Sequence, residues 1–218
     1  MARKPRKAQF LRDNGLTLAL MACFLFSIGG MLFSGWIEQN EEHIVHQQMR
    51  QGLLDYAISG DFLSAVFENW ESEFLQMTAY VAFTAYLFQR GSAESRDPDK
   101  PGRHNDDLRP EWRGLKPVLN FLYSYSLGIA LAALFVVSFI FHAWATFVAT
   151  NEWANQHGEP AVSFLGTLAS SRFWFESFQN WQSEFLSTAV LVVLSIFLRF
   201  KGSPESKPLC APNSETGS

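Results

Sequence analysis

Four stretches of the chain are apolar enough to predict long helices. Residues 16–37 form a run of 22 residues without a charge. At 1.5 Å per residue this run spans about 33 Å, enough to cross a hydrocarbon core of about 30 Å. Residues 74–88 number only 15, too few to cross, so we expect that helix to begin near Asn69. The pattern predicts an all-α membrane protein with four transmembrane helices, at residues 16–37, 69–89, 118–149 and 180–198.

The segments before, between and after these spans are polar. Residues 1–13 form a basic leader, and the acidic residues 38–61 have apolar positions at helical spacing, namely Val45, Met49, Leu53 and Ala57. This spacing predicts interfacial helices in the outer loops. Residues 91–116 are rich in charge, Pro and Gly, which predicts a solvated and flexible cytoplasmic linker. We expect the Ser- and Pro-rich residues 202–218 to be a disordered tail.

The second half of the chain repeats the first half at an offset of 111 residues. Residues 67–75 read Phe-Glu-Asn-Trp-Glu-Ser-Glu-Phe-Leu, and residues 178–186 read Phe-Gln-Asn-Trp-Gln-Ser-Glu-Phe-Leu. The same ungapped register aligns Phe24 with Phe135 and His46 with His157. We therefore predict two tandem repeats of one helical pair, at residues 14–90 and 117–201.

Lysine and arginine are concentrated on one side of this predicted topology. The leader contains five, residues 90–116 contain seven, and the tail from residue 199 contains three, whereas only Arg50 and Arg172 lie in the other two loops. The positive-inside rule then places both termini and the linker in the cytoplasm. Each repeat has an even number of spans, so the two insert with the same polarity, as parallel repeats about an axis along the membrane normal.

The repeated motif places a polar stripe on the second and fourth predicted spans. Its members recur at helical spacing in both copies, namely Asn69, Ser72, Glu73 and Gln76, then Asn180, Ser183, Glu184 and Ser187. A carboxylate below the membrane interface usually faces the bundle interior or an aqueous cavity. We therefore expect Glu73 and Glu184 to form a pair suited to binding protons or cations.

The same residues also have a structural interpretation. Asn69 and Asn180 are of a type favoured as N-caps, so the motif would then mark where two helices begin. Trp70 and Trp181 suit the aromatic belt at the membrane interface. Against this, two neighbouring acids differ between the copies, Glu68 with Gln179 and Glu71 with Gln182, whereas Glu73 is matched by Glu184.

Histidines give weaker candidates for a site. His46 and His157 occupy equivalent positions in the two outer loops, where they would bind a metal or respond to pH, or would simply be exposed loop residues. His142 has Met31 as its counterpart, and we expect a packed, hydrogen-bonded side chain there rather than a metal ligand.

Composition excludes several classes of protein. The charged fraction is 17%, and the two cysteines suit neither a disulfide framework nor a zinc motif. The linker contains nearly as many acids as bases, which argues against nucleic-acid binding. No phosphate-binding loop, nucleophile elbow or dinucleotide fingerprint is present in the sequence. We expect no cofactor.

The paired Asn-Trp-x-Ser-Glu-Phe-Leu motifs each precede a helix that ends in Arg/Lys-Gly-Ser-x-Glu-Ser. In this respect residues 10–207 resemble a family of small bacterial integral membrane proteins known only as a domain of unknown function. The resemblance implies a multi-pass protein of the bacterial inner membrane. It implies no activity and no catalytic residues.

Three hypotheses follow from these patterns. The first is a membrane protein that binds or passes protons or small cations through Glu73 and Glu184, as a homo-oligomer or with a membrane partner, because four helices are few for a transporter. The second is a non-catalytic scaffold or accessory protein whose motif caps and packs helices. The third, an enzyme using Glu41, Glu152 and the two loop histidines, ranks last because no nucleophile accompanies them. In each case the lipid bilayer is the surrounding medium.

Overall fold

The computed structural model of the chain describes residues 6–46, 48–102, 106 and 116–217, with side chains from residue 10 onwards. These residues form helices and no strands, which confirms the all-α class. The helices are α1 (Arg6–Asp13), α2 (Gly15–Val45), α3 (Leu53–Ala57), α4 (Gly60–Tyr86), α5 (Pro117–Ser124), α6 (Ser126–His157), α7 (Phe164–Leu168) and α8 (Ser171–Phe197).

Two of the helices are long and apolar enough to cross a membrane. These are α2, with 31 residues, and α6, with 32. The prediction of four such spans is not supported, because α4 and α8 lack the required hydropathy. Their first halves contain the polar residues of the repeated motif, and these residues lower the average that hydropathy methods read.

The helix bounds differ from those predicted because the capping signals lie elsewhere. α4 begins at Gly60 rather than near Asn69, and α8 begins at Ser171 rather than at Asn180. The Ser170 hydroxyl accepts a hydrogen bond from the amide of Phe173 at 3.2 Å, and Ser59 does the same for Phe62 at 3.3 Å. Serine is a favoured N-cap, so the motif lies inside both helices and the capping interpretation of its asparagines is wrong.

The other two predicted spans also have different ends. α2 continues past residue 37 to Val45, and the predicted span at 118–149 is divided at Tyr125 into α5 and α6. Tyr125 has ψ of 13°, which departs from the helical value of about −42°. The longer of the two pieces runs on to His157, where Gly158 ends it in the left-handed conformation with φ of 68°.

The helices of the second half follow those of the first at the offset seen in the sequence. α5 to α8 each begin 111 residues after α1 to α4, and three of the four have equal lengths. The fourth, α6, is longer than α2 by one residue. The ungapped alignment of side chains is thus matched by an ungapped alignment of helix starts.

An asparagine near the end of α2 holds the following chain in place. Asn40 Oδ1 accepts from the amide of Gln51 at 2.7 Å, and its Nδ2 donates to the Gln51 carbonyl at 3.1 Å. Asn151 near the end of α6 makes the same two bonds with Val162, at 2.9 and 3.1 Å. One amide side chain therefore satisfies both backbone groups of a residue that no helix would otherwise satisfy.

The chain divides into two compact units, Met1–Leu63 and Ser64–Ser218. In the first unit, buried Tyr56 packs against Phe62 with ring centroids 5.4 Å apart, and its hydroxyl lies against the backbone of Gly35. In the second unit, side chains of α4, α6 and α8 meet. Phe67 of α4 stacks on Phe141 of α6 at 4.8 Å, and small buried residues on α6, Ala143 and Ala145, allow close approach.

The tail, predicted to be disordered, is folded over residues 202–217. Buried Lys207 donates hydrogen bonds to the carbonyls of Pro212, Asn213 and Glu215 at 2.9–3.2 Å. In the linker, residues 91–102 form turns, and Arg90 pairs with Asp99 at 2.6 Å. The rest of the linker, except Asp106 and Lys116, lies outside the described residues, so its predicted flexibility stays a prediction.

Candidate functional site

A histidine and a glutamate form a buried hydrogen bond between α6 and α4. His142 Nδ1 lies 2.7 Å from Glu71 Oε2, and neither side chain is exposed at all. The second carboxylate oxygen of Glu71 accepts from the indole N–H of Trp181 on α8 at 2.9 Å. Glu71 therefore joins three helices through one carboxylate, and both of its oxygens have a donor.

Two more acids lie beside this pair. Glu68 on α4, His142 on α6 and Glu176 on α8 each present a potential metal-ligand atom, and these atoms lie within 4.8 Å of one another. Asn180 Nδ2 donates a short hydrogen bond to Glu68 Oε1. Glu176 Oε1 pairs with the largely exposed Arg172 at 2.8 Å. We refer to Glu68, Glu71, His142 and Glu176 as the buried acid–histidine cluster, in which Glu71 and His142 are fully buried and Glu68 and Glu176 are partly buried.

Aromatic side chains enclose the cluster. The imidazole of His142 stacks on fully buried Phe173 with centroids 4.8 Å apart. Phe139 packs edge-on against Phe173 at 5.6 Å, and Trp181 packs against Phe135 at 6.4 Å. This apolar wall shields the imidazole from water, which strengthens each electrostatic contact that it makes with the acids of the cluster.

The two glutamates of the predicted stripe meet across α4 and α8. The side chains of Glu73 and Glu184 lie close enough across the two helices to interact electrostatically. One turn further along, Gln76 Nε2 donates to Thr188 Oγ1 at 2.5 Å.

The other stripe residues do not form a joint site. Asn69 Nδ2 donates to the carbonyl of Ala65 at 2.7 Å on its own helix. The hydroxyls of Ser72, Ser183 and Ser187 likewise donate to carbonyls three residues earlier, at 2.8–2.9 Å. Asn180 is the exception, because it reaches Glu68. The stripe is continuous along each helix, but Glu73, Glu184, Gln76 and Asn180 alone among its members are shown bridging α4 and α8.

A cavity of about 440 Å³ continues from Gln76 and Thr188 along α4 and α8. It is lined mostly by apolar residues, and at its far end Tyr80 donates to Glu94 Oε2 at 2.6 Å. Desolvation raises the pKa of Glu94, which the Tyr80 hydrogen bond lowers and the nearby Glu205 raises further. Glu94 and Glu205 are repeat counterparts, so equivalent acids meet at both ends of this stretch of the two helices.

The remaining predicted candidates have other surroundings. Trp181, expected in an interfacial belt, binds buried Glu71 instead, while Trp70 packs edge-on against Phe67 at 5.4 Å. His157 stacks on Trp153 at 4.2 Å, and the amide of His46 closes the end of α2 by binding the Glu42 carbonyl. These two histidines belong to different units, and a shared metal stays a prediction.

Sequence reasoning misses the buried acid–histidine cluster because its members break the repeat. The counterparts of Glu68, Glu71, His142 and Glu176 are uncharged, namely Gln179, Gln182, Met31 and Ala65. A comparison of the two copies gives most weight to positions that match, and the two α4 acids do not. The informative positions are those at which the two copies differ. Four such positions, where one copy has an acid or a histidine and the other has neither, fall on three helices that pack together.

Comparison with protein families decides what this chain belongs to. Residues 7–218 match a family described as a domain of unknown function, DUF6766. The chain is a member of the DUF6766 family. Among curated proteins and solved structures no match is found. Membership of DUF6766 covers nearly the whole chain and assigns no activity, so the geometry above is what bears on function.

Proposed function

We propose that this DUF6766 member is an integral membrane protein that binds and passes protons, or small cations, through the Glu73–Glu184 pair. The observation that carries the proposal is that two matched carboxyl groups, 111 positions apart in sequence, lie close to each other across α4 and α8. Two acids that share a proton are a chemically competent site for taking up and releasing one.

The surroundings of the pair support a path rather than an isolated site. Gln76 and Thr188 follow directly, then the cavity between the helices, then the Tyr80–Glu94 hydrogen bond with Glu205 beside it. Carboxyl groups are among the types that relay protons in membrane proteins, and here they lie at both ends of the stretch. In this proposal the path runs from Glu73 and Glu184 to Glu94 and Glu205.

The membrane location of the proposal rests on exposed apolar surface. Along α2 the large apolar side chains are widely exposed, among them Leu16, Leu20, Leu25 and Phe26, each at more than 60%. Apolar surface of this extent on a helix suits contact with lipid. We propose that α2 and α6 cross the membrane and that α4 and α8 also cross it.

Three further features belong to the proposal. The chain is a tandem duplication, supported by helix starts that recur at 111 residues. The resemblance noted from the motifs favours the bacterial inner membrane, with both termini cytoplasmic. Because Glu73 is exposed and lies on a helix proposed to cross the bilayer, a second copy of the chain would cover it, and we propose a homo-oligomer.

The test is proton flux into proteoliposomes that contain the purified protein and a pH-sensitive dye. We expect wild type to dissipate an imposed pH gradient and the double variant Glu73→Gln, Glu184→Gln to be inactive while still reconstituting. The matched control is Glu41→Gln with Glu152→Gln, which removes two repeat-equivalent acids outside this site and should leave flux unchanged. Repeating the assay with Na⁺ and K⁺ gradients separates protons from small cations.

A scaffold or accessory role is the second candidate, and one observation favours it. The motif residues Asn180 and Trp181 each bind an acid on α4, so the motif connects helices. Wild-type vesicles without flux of any ion, from a protein that is folded and reconstituted, would reject the transport proposal and favour this role.

The proposed orientation has its own test in the native cysteines. Cys210 is exposed in the folded tail. In a Cys23→Ser background, an impermeant maleimide should label Cys210 only after cells are permeabilised. Labelling of intact cells would place the C-terminus outside and reverse the proposed topology.

A further inference from the structure

The buried acid–histidine cluster contains an imidazole nitrogen that lacks a partner. His142 Nδ1 faces Glu71, whose two oxygens face Trp181 N–H and His142. With Glu71 as the ionised carboxylate, both of its oxygens accept, and the hydrogen between Oε2 and the imidazole lies on Nδ1. In the neutral imidazole Nε2 then carries the lone pair. It is fully buried, and among the described residues it has no hydrogen-bond partner.

Two carboxylates lie within reach of that imidazole. Ligand atoms of Glu68 and Glu176 lie within 4.8 Å of the histidine ligand atom and of each other. A bound ion at their centre would need only small side-chain movements to reach ligand distances of about 2.0–2.2 Å. Each proposed ligand comes from a different helix, so the backbone of the second unit sets their spacing.

The groups around the cluster also leave a charge to be neutralised. Three carboxylates, Glu68, Glu71 and Glu176, face one guanidinium, that of Arg172. With neutral His142 the sum of these four formal charges is −2. Glu71 is fully buried and Glu68 and Glu176 are partly buried, so this charge is unfavourable without compensation, and a divalent ion would balance it.

We infer that Glu68, His142 and Glu176 bind a divalent transition-metal ion such as Zn²⁺, with Glu71 as the residue that orients His142. One imidazole with two carboxylates suits Zn²⁺, Fe²⁺ or Mn²⁺ better than Mg²⁺. A carboxylate on the far nitrogen of a metal-binding histidine is a recurrent arrangement that fixes the tautomer. Asn180 likewise orients Glu68, through the hydrogen bond that it donates to Glu68 Oε1. The inference is independent of the proposed proton path.

The experiment measures Zn²⁺ binding by titration calorimetry on the full chain in detergent, with Co²⁺ absorption as a second probe of tetrahedral ligation. We expect one ion for each chain. His142→Met, Glu68→Gln and Glu176→Ala introduce the residues present at the repeat-equivalent positions, and each should weaken binding by at least tenfold. Glu71→Gln should weaken binding by about 10–100-fold and keep the stoichiometry.

Matched variants test whether Zn²⁺ binds at this cluster rather than at the loop histidines or the Glu73–Glu184 pair. His46→Ala and His157→Ala should bind Zn²⁺ like wild type, and so should the Glu73→Gln, Glu184→Gln variant, which tests the proton path. Glu176→Ala is the variant to weigh if His142→Met does not fold, because Glu176 is partly exposed.

Thermal unfolding gives a second readout of the same site. Bound Zn²⁺ should raise the melting temperature of wild type and not that of Glu176→Ala. No saturable binding to wild type, or binding that survives Glu176→Ala and Glu68→Gln unchanged, would overturn the inference.

Discussion

His142 of α6 and Glu71 of α4 are 71 positions apart in sequence, and their side chains meet at 2.7 Å with no exposure to solvent. Neither residue has a charged counterpart in the other repeat, where Met31 and Gln182 stand at the equivalent positions. The pair is therefore an element that distinguishes one half of the chain from the other. It links two of the three helices on which the buried cluster is built.

Breaking this pair from one side should destabilise the protein. His142→Met leaves Glu71 buried with Trp181 as its remaining donor, and removal of one partner of a buried pair costs about 3–5 kcal/mol. The double variant His142→Met, Glu71→Gln removes the stranded charge and should recover much of that loss. Denaturant unfolding of wild type, His142→Met, Glu71→Gln and the double variant in detergent gives the coupling free energy between the two side chains.

Two results would contradict this prediction. Additive effects of the two substitutions would mean that the contact contributes no coupling. Equal stability of His142→Met and wild type would mean that Glu71 finds compensation elsewhere. Ser64→Ala is a suitable comparison, because it removes an α4–α6 hydrogen bond to Thr146 (2.7 Å) that contains no charge. It should cost about 1 kcal/mol.

A side chain at Gly35 should disrupt the first unit. A Cβ atom added there would overlap the Tyr56 hydroxyl, while the nearest ring carbons would lie at 3.1 and 3.3 Å. We expect Gly35→Ala to destabilise by about 1–3 kcal/mol, as overpacking does. Adding Tyr56→Phe removes the overlapping oxygen and should restore most of the loss, as measured by thermal unfolding.

The matched control for this prediction lies on the same helix. A Cβ at Gly30 would meet nothing within 4 Å, so Gly30→Ala should be neutral or stabilising by up to about 1 kcal/mol. If Gly35→Ala behaves like Gly30→Ala, the close approach of Tyr56 is not a feature of the molecule in solution.

Glu94 should give the protein a pH-dependent stability. Desolvation raises its pKa above the ordinary value of 4.5, so the folded state disfavours the charged form. This unfavourable contribution is present above the raised pKa and disappears as the pH falls through it towards 4.5. Relative to Glu94→Gln, wild type should therefore gain melting temperature as the pH falls from above the raised pKa of Glu94 towards 4.5. A constant difference between the two proteins over that range would show that Glu94 is not perturbed.

Replacing either of the asparagines that hold the chain after α2 and α6 should lower the free energy of unfolding, but by different amounts. Asn40→Ala leaves the amide of Gln51 without its partner, whereas the Gln51 carbonyl still accepts from Trp36 Nε1 at 2.8 Å. Asn151→Ala removes the Asn151 side-chain partner from both the amide and the carbonyl of Val162. A group left unsatisfied costs about 1–3 kcal/mol where it is buried. Asn40 is 8% exposed and Asn151 is more exposed, so we expect the larger loss of unfolding free energy at Asn40. A larger loss at Asn151 would contradict the burial argument.

Much of the helical organisation follows from local sequence. The apolar runs of α2 and α6 have enough length and no interruption, and the recurrence of Asn40 as Asn151 marks one local structure formed twice. The predicted start of α4 is wrong. The prediction relied on Asn69, whose residue type is favoured at an N-cap, whereas the side chain that caps the helix is that of Ser59. Asn and Ser are both favoured at the N-cap position, so the conformation of the neighbouring backbone decides which of the two residues caps the helix.

Of the two candidate sites, one can be identified from the sequence and the other depends on how the helices pack. Glu73 and Glu184 can be identified from one chain because a repeat places equivalent residues on equivalent helix faces. Glu68, Glu71, His142 and Glu176 cannot, since a comparison between repeats favours positions that match. Their common location depends on how α4, α6 and α8 approach each other, and side-chain spacing within a helix contains no information about that.

The sequence by itself determined the all-helical class, the 111-residue register and the positions of the polar residues along each helix, because these depend on contacts between residues a few positions apart. Tertiary structure alone decided that Glu71 faces His142 and that Lys207 is buried in a folded tail. The physical reason is that burial is a property of the packed helices. A charge becomes costly, and its partner informative, only when neighbouring elements have excluded water from it.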